Sequence, residues 1–360
     1  MMKAPFLIAV SGVKNSGKTT LITKLIPILK MYGLRVATIK HDGHDFEADV
    51  PGTDTHAHMQ AGAYGTAVFS KTKYMIVKQE EAVTERELSE YFPEADMILL
   101  EGFKYSGYPK LELVRKGNSK EPVCHNQDLI ALVSDFDVKQ DQNKEIPLLD
   151  LNDPEEIAEF ILDYWFIQTS LSMVVLAGGK SSRMGKDKSD LLYEGKTFLQ
   201  RQVDKGKALG IADVFISGYQ GMVCTERVVK DRYPRKGPLG GLEAAFREMK
   251  TPYCLVMAVD APLVTIEVLR KLIRKSRRAW MSGTGKPVRV LKHGERIEPL
   301  LGIYRTNLAD AIEAEIAEGK GRVFCFLEKV GYDVSESGES EKIFENVNTP
   351  EIYEKIKTYG

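Results

Sequence analysis

The apolar and polar positions of the chain follow two alternating periods. Short apolar runs of strand length, the first at residues 6–10, precede segments whose apolar residues recur at helical spacing. In the first such segment the apolar positions are Leu21, Ile22, Leu25, Ile26 and Leu29. Further strands are predicted at residues 35–39, 64–69, 74–77, 96–100 and 129–133, and an exposed acidic helix at residues 80–92. Strands that alternate with helices predict an α/β domain.

A second series of the same kind begins at residue 173. Its predicted strands lie at residues 173–176, 191–193, 214–217, 228–230, 253–259 and 298–304. Its predicted helices lie at residues 198–209, after residue 237, at residues 307–317 and after residue 350. A chain of 360 residues is longer than one ordinary domain. The pattern therefore predicts two α/β domains, one in each half.

A helix is predicted to join the two series. Asp153 suits the position that caps a helix N-terminus, and Pro154 suits the first helical position. The apolar residues Ile157 and Ile161 continue this helix, and no glycine-, serine- or proline-rich spacer follows it. We place the boundary at residue 168, which gives a first domain at residues 1–168 and a second at residues 169–360.

Composition narrows the class of protein. The formal net charge is −1, so the chain has no overall basic field that would attract nucleic acid or an anionic membrane surface. Its four cysteines are far apart and form no CxxC pair, which argues against a disulfide framework and predicts a cytoplasmic location. No apolar run is long enough to span a membrane, and the N-terminus does not have the pattern of a signal peptide.

The first strand leads directly into a complete GxxxxGK[ST] motif at residues 12–19. A strand before the motif and a helix after it are the setting of a phosphate-binding P-loop. Backbone N–H groups of such a loop hold the β-phosphate, while Lys18 contacts the β- and γ-phosphates and Thr19 holds Mg²⁺. The predicted nucleotide-binding residues are Gly12, Asn15, Ser16, Gly17, Lys18, Thr19 and Thr20.

Other polar residues of the first half are candidates for the same site. Glu101 follows the strand at residues 96–100, where a P-loop protein keeps the carboxylate that orders water around Mg²⁺. Four of the six histidines fall between residues 41 and 58. These histidines either hold a metal together with nearby acids or line a nucleotide or pterin pocket. Asp135, after the strand at residues 129–133, is a candidate for accepting hydrogen bonds from guanine.

The strand at residues 173–176 also ends in a glycine-rich loop. Gly178 and Gly179 let the backbone approach a ligand closely, and successive N–H groups can form an anion-binding concavity. The loop then carries four cations and one acid, namely Lys180, Arg183, Lys186, Lys188 and Asp187. This excess of positive charge suits a polyphosphate. A second phosphate site is therefore predicted in the second half.

Polar residues follow other elements of the second half. Asp260 ends the strand at residues 253–259, and an acid at the carboxyl end of a central strand is a natural Mg²⁺ ligand in an open α/β sheet. Gly237 and Gly241 flank a helix start whose free N–H groups can hold ligand oxygens. Asn346 and Asn348 alternate near the C-terminus, where they either face a ligand together or form an asparagine-rich turn.

The first half carries three further strings in a fixed order after the P-loop. They are Lys40-His41, Asp49-Val50-Pro51-Gly52 and Glu101-Gly102-Phe103-Lys104. With these strings, residues 3–165 resemble the GTP-binding MobB protein of molybdenum cofactor synthesis. The resemblance implies a P-loop NTPase domain that binds GTP, and it leaves open a homo-oligomer formed through this domain.

The string LAGG-x-S-x-RMG-x-DK, at residues 176–188, resembles the nucleotide loop of the molybdenum cofactor guanylyltransferase (MobA) family. Residues 173–360 resemble that family over their whole length, through GPL-x-G at residues 237–241 and NVNTPE at residues 346–351. The resemblance implies a Rossmann-like nucleotidyltransferase domain of α/β class.

The MobA resemblance also implies roles for single residues. Its catalytic residues would be Arg183, Lys188 and Asp260, with Asp260 as the Mg²⁺ ligand. Its nucleotide-binding residues would be Leu176, Ala177, Gly178, Gly179, Lys188, Ser217, Asp231, Gly237, Gly241 and Asp260, and its substrate-binding residues Asn346 and Asn348. Ser217 stands where the family often has asparagine, so a single hydroxyl replaces an amide and base selectivity is affected.

Together the resemblances imply a fused protein of molybdenum cofactor biosynthesis. Its C-terminal domain would transfer GMP from GTP to molybdopterin, giving molybdopterin guanine dinucleotide and pyrophosphate. Its N-terminal domain would bind GTP and assist, and it could act as a weak GTPase. The expected ligands are GTP, molybdopterin and Mg²⁺, and the expected transient partners are other cofactor-biosynthesis proteins and apo-molybdoenzymes.

Three alternatives remain open at this point. The C-terminal domain could transfer CMP to the pterin, or a nucleotidyl group to a sugar phosphate. The N-terminal domain could be a non-hydrolysing delivery module. A P-loop kinase acting on a small substrate is disfavoured, because no lid-like arginine cluster is evident in the sequence.

Overall fold

The structure is a computed structural model that describes residues 4–42, 46, 48–125, 127–139, 146–178, 187–219, 221, 226–234 and 236–359. The chain divides into two compact units, Met1–Glu159 and Phe160–Gly360. The α/β class predicted for both halves is confirmed, because each unit builds a largely parallel sheet flanked by helices. None of the helices in the described ranges combines the length and apolar character that a membrane crossing needs.

The N-terminal unit is built on a parallel sheet. Its described strands are β1 Phe6–Gly12, β2 Val36–Lys40, β3 Gly65–Phe69, β4 Tyr74–Lys78, β5 Met97–Glu101, β6 Lys110–Val114, β7 Leu129–Ser134 and β8 Leu148–Asp150. Six of them form the sheet in the order β2-β5-β1-β6-β7-β8, and every pair in it is parallel. Strands β3 and β4 form a separate antiparallel hairpin. Parallel strands end at one edge of the sheet, so the residues after β1 and β5 lie close together.

The central strands read as continuous apolar runs because both of their faces are covered. Met97, Ile98, Leu99 and Leu100 of β5 are fully buried. The helices of this unit are α1 Lys18–Met31, α2 Asp54–Gln60 and α3 Glu85–Ser89. The acidic helix predicted at residues 80–92 is wrong in extent, because Thr84 and Glu87 form a capping box that starts α3 only at Glu85.

Helix α4, Pro154–Ser170, leads directly into the first strand of the C-terminal unit. Asp153 Oδ1 accepts hydrogen bonds from the N–H groups of Glu155 at 3.1 Å and Glu156 at 2.9 Å. The predicted cap at Asp153 is therefore confirmed. The division between the two units and the predicted boundary at residue 168 both fall within α4. The boundary residue stays a prediction.

The C-terminal unit has a seven-stranded mixed sheet. Its described strands are β9 Leu171–Leu176, β10 Leu192–Tyr193, β11 Lys196–Thr197, β12 Val214–Ser217, β13 Arg227–Val229, β14 Tyr253–Ala258, β15 Val288–His293, β16 Arg296–Arg305 and β17 Tyr332–Glu336. Its described helices are α5 Phe198–Ala208, α6 Pro238–Glu248, α7 Ile266–Met281, α8 Ala309–Ala317, α9 Val323–Val330 and α10 Pro350–Lys357. The sheet order is β13-β12-β9-β14-β16-β15-β17, with β10 and β11 forming a separate small hairpin.

Alternate residues of β9 face the two cores of this unit. Met173 and Val175 belong to a core that includes residues of α5, α7 and α10. Val174 and Leu176 belong to a second core with residues of α6, α8 and α9. Side chains of a strand point alternately to its two faces, so both faces of β9 are covered by helices. The helices cover the faces of β9 but not its carboxyl end, and the polar loops lie at that end.

Strand β6 shows why the sequence pattern missed part of the fold. Lys110 and Glu112 of this strand are both buried. Lys110 Nζ donates to the carbonyl oxygens of Ser106 and Lys104, while Glu112 accepts from the backbone N–H groups of Val123 at 2.6 Å and Cys124 at 3.0 Å. Two charged residues inside a five-residue strand hide its apolar character. The sequence pattern also did not predict helices α2, α7 and α9 or strands β8, β15 and β17.

Candidate functional sites and their relatives

The loop between β1 and α1 has a constrained backbone. Gly12 and Gly17 have positive φ angles of 137° and 98°, and Asn15 has a φ of 63°. A Cβ atom on Gly12 would lie 2.7 Å from the carbonyl oxygen of Leu113 and 2.9 Å from Ser16 Oγ, so a larger residue does not fit. The loop ends at the N-terminus of α1, where free N–H groups and the helix dipole favour an anion.

The side chains of the loop meet the end of β5. Thr19 Oγ1 donates to Glu101 Oε1 at 2.6 Å, so the two predicted metal-binding residues of this unit are in contact. Lys18 Nζ donates to the carbonyl oxygen of Val13 at 2.7 Å. Ser16 Oγ is buried and has no hydrogen-bond partner among the described residues, while Thr20 is exposed in the first turn of α1. The arrangement offers donors and cations to a polyphosphate.

Two other lysines contribute to the electrostatics of this loop. Burial is the largest cause that lowers the pKa of Lys18 below its ordinary value, Glu101 opposes it, and Lys104 and Lys40 lower the pKa further. Lys40 ends β2 and pairs in register with Glu101, which pairs with Val10 of β1. Three lysines and one carboxylate therefore lie near the loop. Two of these lysines, Lys40 and Lys104, belong to the sequence strings on which the MobB resemblance rests.

The histidine-rich stretch does not gather into a metal centre in the described part of the chain. His56 and His58 lie in α2, and His44 lies outside the described residues. Within the described ranges, no group of three or more His, Cys, Asp or Glu residues is close enough to hold a metal ion. Asp135 Oδ1 accepts from the N–H of Lys116 at 2.8 Å, so this carboxylate holds the loop after β6.

The second site lies where β9, β12 and β14 end. Leu176 of β9 is in register with Ser217 of β12 and with Ala258 of β14. The residues that follow these strands therefore meet at one edge of the sheet, which is the usual ligand position of such sheets. Gly178 and Gly218 touch there, because a Cβ atom on Gly218 would lie 2.5 Å from Gly178 Cα.

Lys188, Asp260 and Asn348 form one hydrogen-bonded group at this edge. Lys188 Nζ donates to Asp260 Oδ2 at 2.9 Å and to Asn348 Oδ1. The side chains of Lys188 and Asp260 are 20% and 21% exposed, so a ligand can approach both. Asp187 Oδ1 accepts from the N–H of Ser189 at 2.9 Å and fixes the turn that carries Lys188. The group offers one cation and one carboxylate for a phosphate and its metal ion.

The other predicted residues of the second half take different positions. Ser217 is buried, and its hydroxyl donates to Asp231 Oδ1 at 3.1 Å. A Cβ atom on Gly241 would lie 2.3 Å from Ser217 Oγ, so the start of α6 packs closely on this pair. Gly237, with a φ of 64°, immediately precedes α6.

The remaining predicted residues lie at the end of β9 and in the C-terminal tail. Leu176 and Ala177 are buried at the end of β9. In the tail, Asn346 Nδ2 lies 3.4 Å from Glu298 Oε2. Gly179 and Arg183 lie outside the described residues.

Two family models match the chain. The model described as "Molybdopterin guanine dinucleotide synthesis protein B" matches residues 7–135, and the model described as "MobA-like NTP transferase domain" matches residues 173–330. The "Molybdopterin-guanine dinucleotide biosynthesis adapter protein" of Escherichia coli (strain K12) is 35% identical over 167 residues, which cover 44% of this chain and 92% of that protein.

Relatives of the second half have a different description. The "Probable molybdenum cofactor guanylyltransferase" of Pelotomaculum thermopropionicum is 35% identical over 186 residues, which cover 49% of this chain and 87% of that protein. The protein of the same description from Clostridium perfringens (strain SM101 / Type A) is 34% identical over 203 residues, covering 51% of this chain and 95% of that protein. The chain belongs to the MobB and MobA families. Its N-terminal unit is here called the MobB unit, and its C-terminal unit the MobA unit.

Two buried polar residues of α5 lie next to the segment around Asp260 and were not predicted from the sequence. Gln202 Nε2 donates to the carbonyl oxygens of Ala258 at 3.1 Å and Ala261 at 2.8 Å, on either side of Asp260. Lys205 Nζ donates to the carbonyl oxygen of Pro262 at 2.7 Å. Burial lowers the pKa of Lys205 to about 7. The sequence did contain a signal for Gln202: it lies at helical spacing from the apolar residues Phe198 and Leu199, which indicates the buried face of α5.

Both units contain donors that suit Mg²⁺. This ion is usually bound by one or two carboxylates together with substrate phosphates and water, rather than by a cage of protein ligands. Asp260 of the MobA unit supplies such a carboxylate beside the predicted phosphate site. In the MobB unit, the Thr19 hydroxyl and the Glu101 carboxylate are in direct contact beside the P-loop. The residues therefore fit the ion at both places.

Proposed function

We propose that the MobA unit transfers GMP from GTP to molybdopterin, forming molybdopterin guanine dinucleotide and pyrophosphate. The observation that carries this proposal is the contact of Lys188 with Asp260 and Asn348 at the carboxyl edge of β9 and β14, in a chain of the MobA family. These three residues come from the glycine-rich loop, the end of a central strand and the C-terminal tail. Their convergence places a cation, a carboxylate and an amide together.

The proposed transfer requires the side chains to position the two substrates and to neutralise negative charge. An oxygen of the molybdopterin phosphate forms a bond to the α-phosphorus of GTP, and the bond from the α-phosphorus to the oxygen that leads to the β-phosphate breaks. The attacking phosphate is already ionised at neutral pH, so orientation suffices and no general base is required. Lys188, with Arg183, offsets the charge on the transferring group and the leaving pyrophosphate. Mg²⁺ bound at Asp260 would add further stabilisation of this charge.

The remaining predicted residues of the MobA unit would hold the two substrates. The glycines at 178, 179 and 237 would let the nucleotide approach the backbone, with Leu176 and Ala177 supporting that loop. Gly241 would contribute indirectly, because its lack of a side chain lets α6 pack against Ser217. The hydroxyl of Ser217 is engaged by Asp231, so we expect Ser217 to act on the nucleotide through that carboxylate. Asn348 and Asn346 would lie on the side of the acceptor.

We also propose that the MobB unit binds GTP through its P-loop. The hydroxyl of Ser16, which has no hydrogen-bond partner among the described residues, the lysines near the loop and the Thr19–Glu101 contact support a bound polyphosphate with Mg²⁺. The unit would then assist transfer or delivery of the product to apo-molybdoenzymes.

The cysteines agree with a cytoplasmic site of action. Among the described residues, Cys124, Cys254 and Cys325 are free thiols.

The hairpin β3–β4 supports a homo-oligomer formed through the MobB unit. Phe69 and Tyr74 are directly opposed across the hairpin, and Ala67 and Ile76 lie on the same face. Phe69 is 84% exposed and Tyr74 is 66% exposed. This two-stranded sheet has an exposed apolar face and pairs with no other strand in the described part of the chain, which favours association with a second copy.

The test of the proposed transfer compares nucleotides. Purified protein is incubated with molybdopterin, Mg²⁺ and either GTP, CTP or UTP, and the product is identified by mass spectrometry. Molybdopterin guanine dinucleotide from GTP alone is the expected result. A cytosine dinucleotide would assign the related cytidylyl transfer, and no dinucleotide from any nucleotide would remove the proposal.

A further inference from the structure

A cavity of about 260 Å³ opens beside Asp260 in the MobA unit. Its walls come from the turn after β14, the first half of β16 and the segment that contains Phe344 and Asn346. Most of the wall is apolar, with Ile297 and Leu300 among its side chains. A concave site with apolar walls and few polar groups is the usual form of a small-molecule pocket.

Among the described residues, two carboxylates line this cavity, Asp260 and Glu298. Neighbouring side chains hold Glu298 in place. The residue is only 8% exposed. His293 Nε2 lies 3.1 Å and Arg296 Nε 2.7 Å from Glu298 Oε1. Asn346 Nδ2 donates to Oε2 over a longer distance, 3.4 Å. A carboxylate has about four acceptor positions, so Oε2 retains room for a further donor.

The surroundings of Glu298 fix its orientation. The imidazole of His293 stacks on the ring of Phe344, with centroids 4.5 Å apart and planes within 6°. Phe344 is fully packed in the core, so it locks the imidazole that contacts Oε1. A buried carboxylate is costly unless it is paired, and this one is paired on one oxygen only at short distance. The other oxygen is the one that a ligand would use.

The sheet order separates this cavity from the predicted nucleotide residues. Ser217 ends β12, which lies on one side of β9, whereas β14 and β16 lie on the other side. The cavity belongs to the β14 and β16 side, and Asp260 stands at its border toward β9. A nucleotide held near Ser217 and a second substrate held in the cavity would therefore meet at Asp260.

We propose that Glu298 determines acceptor specificity by accepting a hydrogen bond from the 2-amino-4-oxopyrimidine edge of a pterin whose phosphate lies toward Asp260. This inference rests on the proposed function, because molybdopterin is the pterin phosphate that the reaction requires. The amino group and the ring N–H of that edge are donors, which a carboxylate recognises and an apolar wall does not. The flat heterocycle matches the apolar sides of the cavity, including Ile297 and Leu300.

The test uses two small fluorescent probes and the full chain. Pterin carries the 2-amino group, whereas lumazine carries a carbonyl oxygen at that position and would oppose the Glu298 carboxylate. We expect the wild-type protein to bind pterin roughly tenfold or more tightly than lumazine, as expected for a hydrogen bond to a charged group. Glu298→Gln should reduce this preference to less than about threefold. Glu295→Gln, the same change at an exposed neighbouring position, should keep it.

Steady-state kinetics supply the second readout. Glu298→Gln should raise the KM for molybdopterin about tenfold and leave the KM for GTP unchanged. A raised KM for GTP with an unchanged KM for molybdopterin would overturn the inference and assign Glu298 to guanine. If Glu298→Gln does not fold, the wild-type protein alone decides, because equal binding of pterin and lumazine overturns the inference.

The probe measurement also separates this inference from the proposed function. Pterin preference without any dinucleotide product would retain the pterin site and remove guanylyl transfer. Dinucleotide formation with equal binding of pterin and lumazine, or with unchanged kinetics in Glu298→Gln, would retain the transfer and remove the role of Glu298.

Discussion

The backbone N–H of Val347 donates to the carbonyl oxygen of Asp260 at 2.8 Å. This bond ties the C-terminal tail to the end of β14. Because side chains alternate along an extended segment, the residues on either side of Val347 can both face the site. Asn346 then reaches Glu298 while Asn348 accepts from Lys188. The tail is thus a structural part of the MobA site.

Replacing Asp260 should stop transfer without unfolding the protein. We expect Asp260→Ala to lower kcat by roughly a thousandfold, because the carboxylate proposed to hold Mg²⁺ is removed. The free energy of unfolding should change by less than about 1 kcal/mol, since the pair with Lys188 is partly exposed. Pyrophosphate release and urea unfolding measure the two effects. The exposed Asp190→Ala is the control, and near-normal turnover of Asp260→Ala would remove this residue from the mechanism.

Lys18 separates the two proposed GTP sites. Lys18→Ala should weaken GTP binding to the MobB unit roughly 10- to 100-fold, because a charge-assisted contact to phosphate is lost. Calorimetry should then detect one tight GTP site per chain in place of two, while the kcat of guanylyl transfer stays within about twofold. Lys24→Ala, an exposed change on the same helix, should keep both sites. A parallel loss of transfer in Lys18→Ala would show that the P-loop takes part in the reaction.

Lys205 predicts a pH dependence of stability. Its pKa is about 7 in the folded protein against an ordinary value of 10.5, with burial as the main cause. Above about pH 7 the unfolded chain keeps the proton that the folded protein has released. The free energy of unfolding should therefore rise with pH from about 7 toward 10.5, by up to about 1.4 kcal/mol per pH unit from this group. Below about pH 7 this contribution should be flat.

The matched variant isolates the contribution of Lys205. Urea unfolding of wild type and Lys205→Met is compared at several pH values from about 6 to 9. The free energy of unfolding of the wild type, relative to that of Lys205→Met, should rise with pH above about 7. A difference that does not depend on pH would mean that Lys205 titrates normally in the folded state.

The exposed hairpin predicts an association that depends on two aromatic residues. Phe69→Ser combined with Tyr74→Ser should convert an oligomer of the full chain into a monomer, because the apolar face of β3–β4 is lost. Light scattering coupled to gel filtration measures the mass. Met31→Ser removes an equally exposed apolar residue outside the hairpin and should leave the oligomer intact. A monomeric wild type, or an unchanged mass in the double variant, would contradict the prediction.

Local patterns in the sequence predicted the P-loop after β1, and also the strands β1 and β9 that precede the two glycine-rich segments. They also predicted Thr19 and Glu101 as one group, and the structure brings these two into contact. Motifs succeed here because a strand, a loop and a helix N-terminus are neighbours in the chain. The roles of these residues in binding and catalysis stay predictions.

Contacts between distant segments could not be predicted in this way. The bonds from Gln202 to the carbonyl oxygens beside Asp260 depend on how α5 packs against the turn after β14. The engagement of the Ser217 hydroxyl by Asp231 likewise depends on the pairing of β12 with β13. Such pairings follow from tertiary packing, which the spacing of residues along one segment does not contain.

The most direct test of the central claim follows the α-phosphate of GTP. The protein is incubated with molybdopterin, Mg²⁺ and GTP labelled at the α-phosphate, and the label is traced through separated products. The account predicts that the label enters molybdopterin guanine dinucleotide, with one unlabelled pyrophosphate released for each dinucleotide formed, and that Asp260→Ala abolishes this incorporation. Label that stays entirely in GTP and GDP would contradict transfer by the MobA unit.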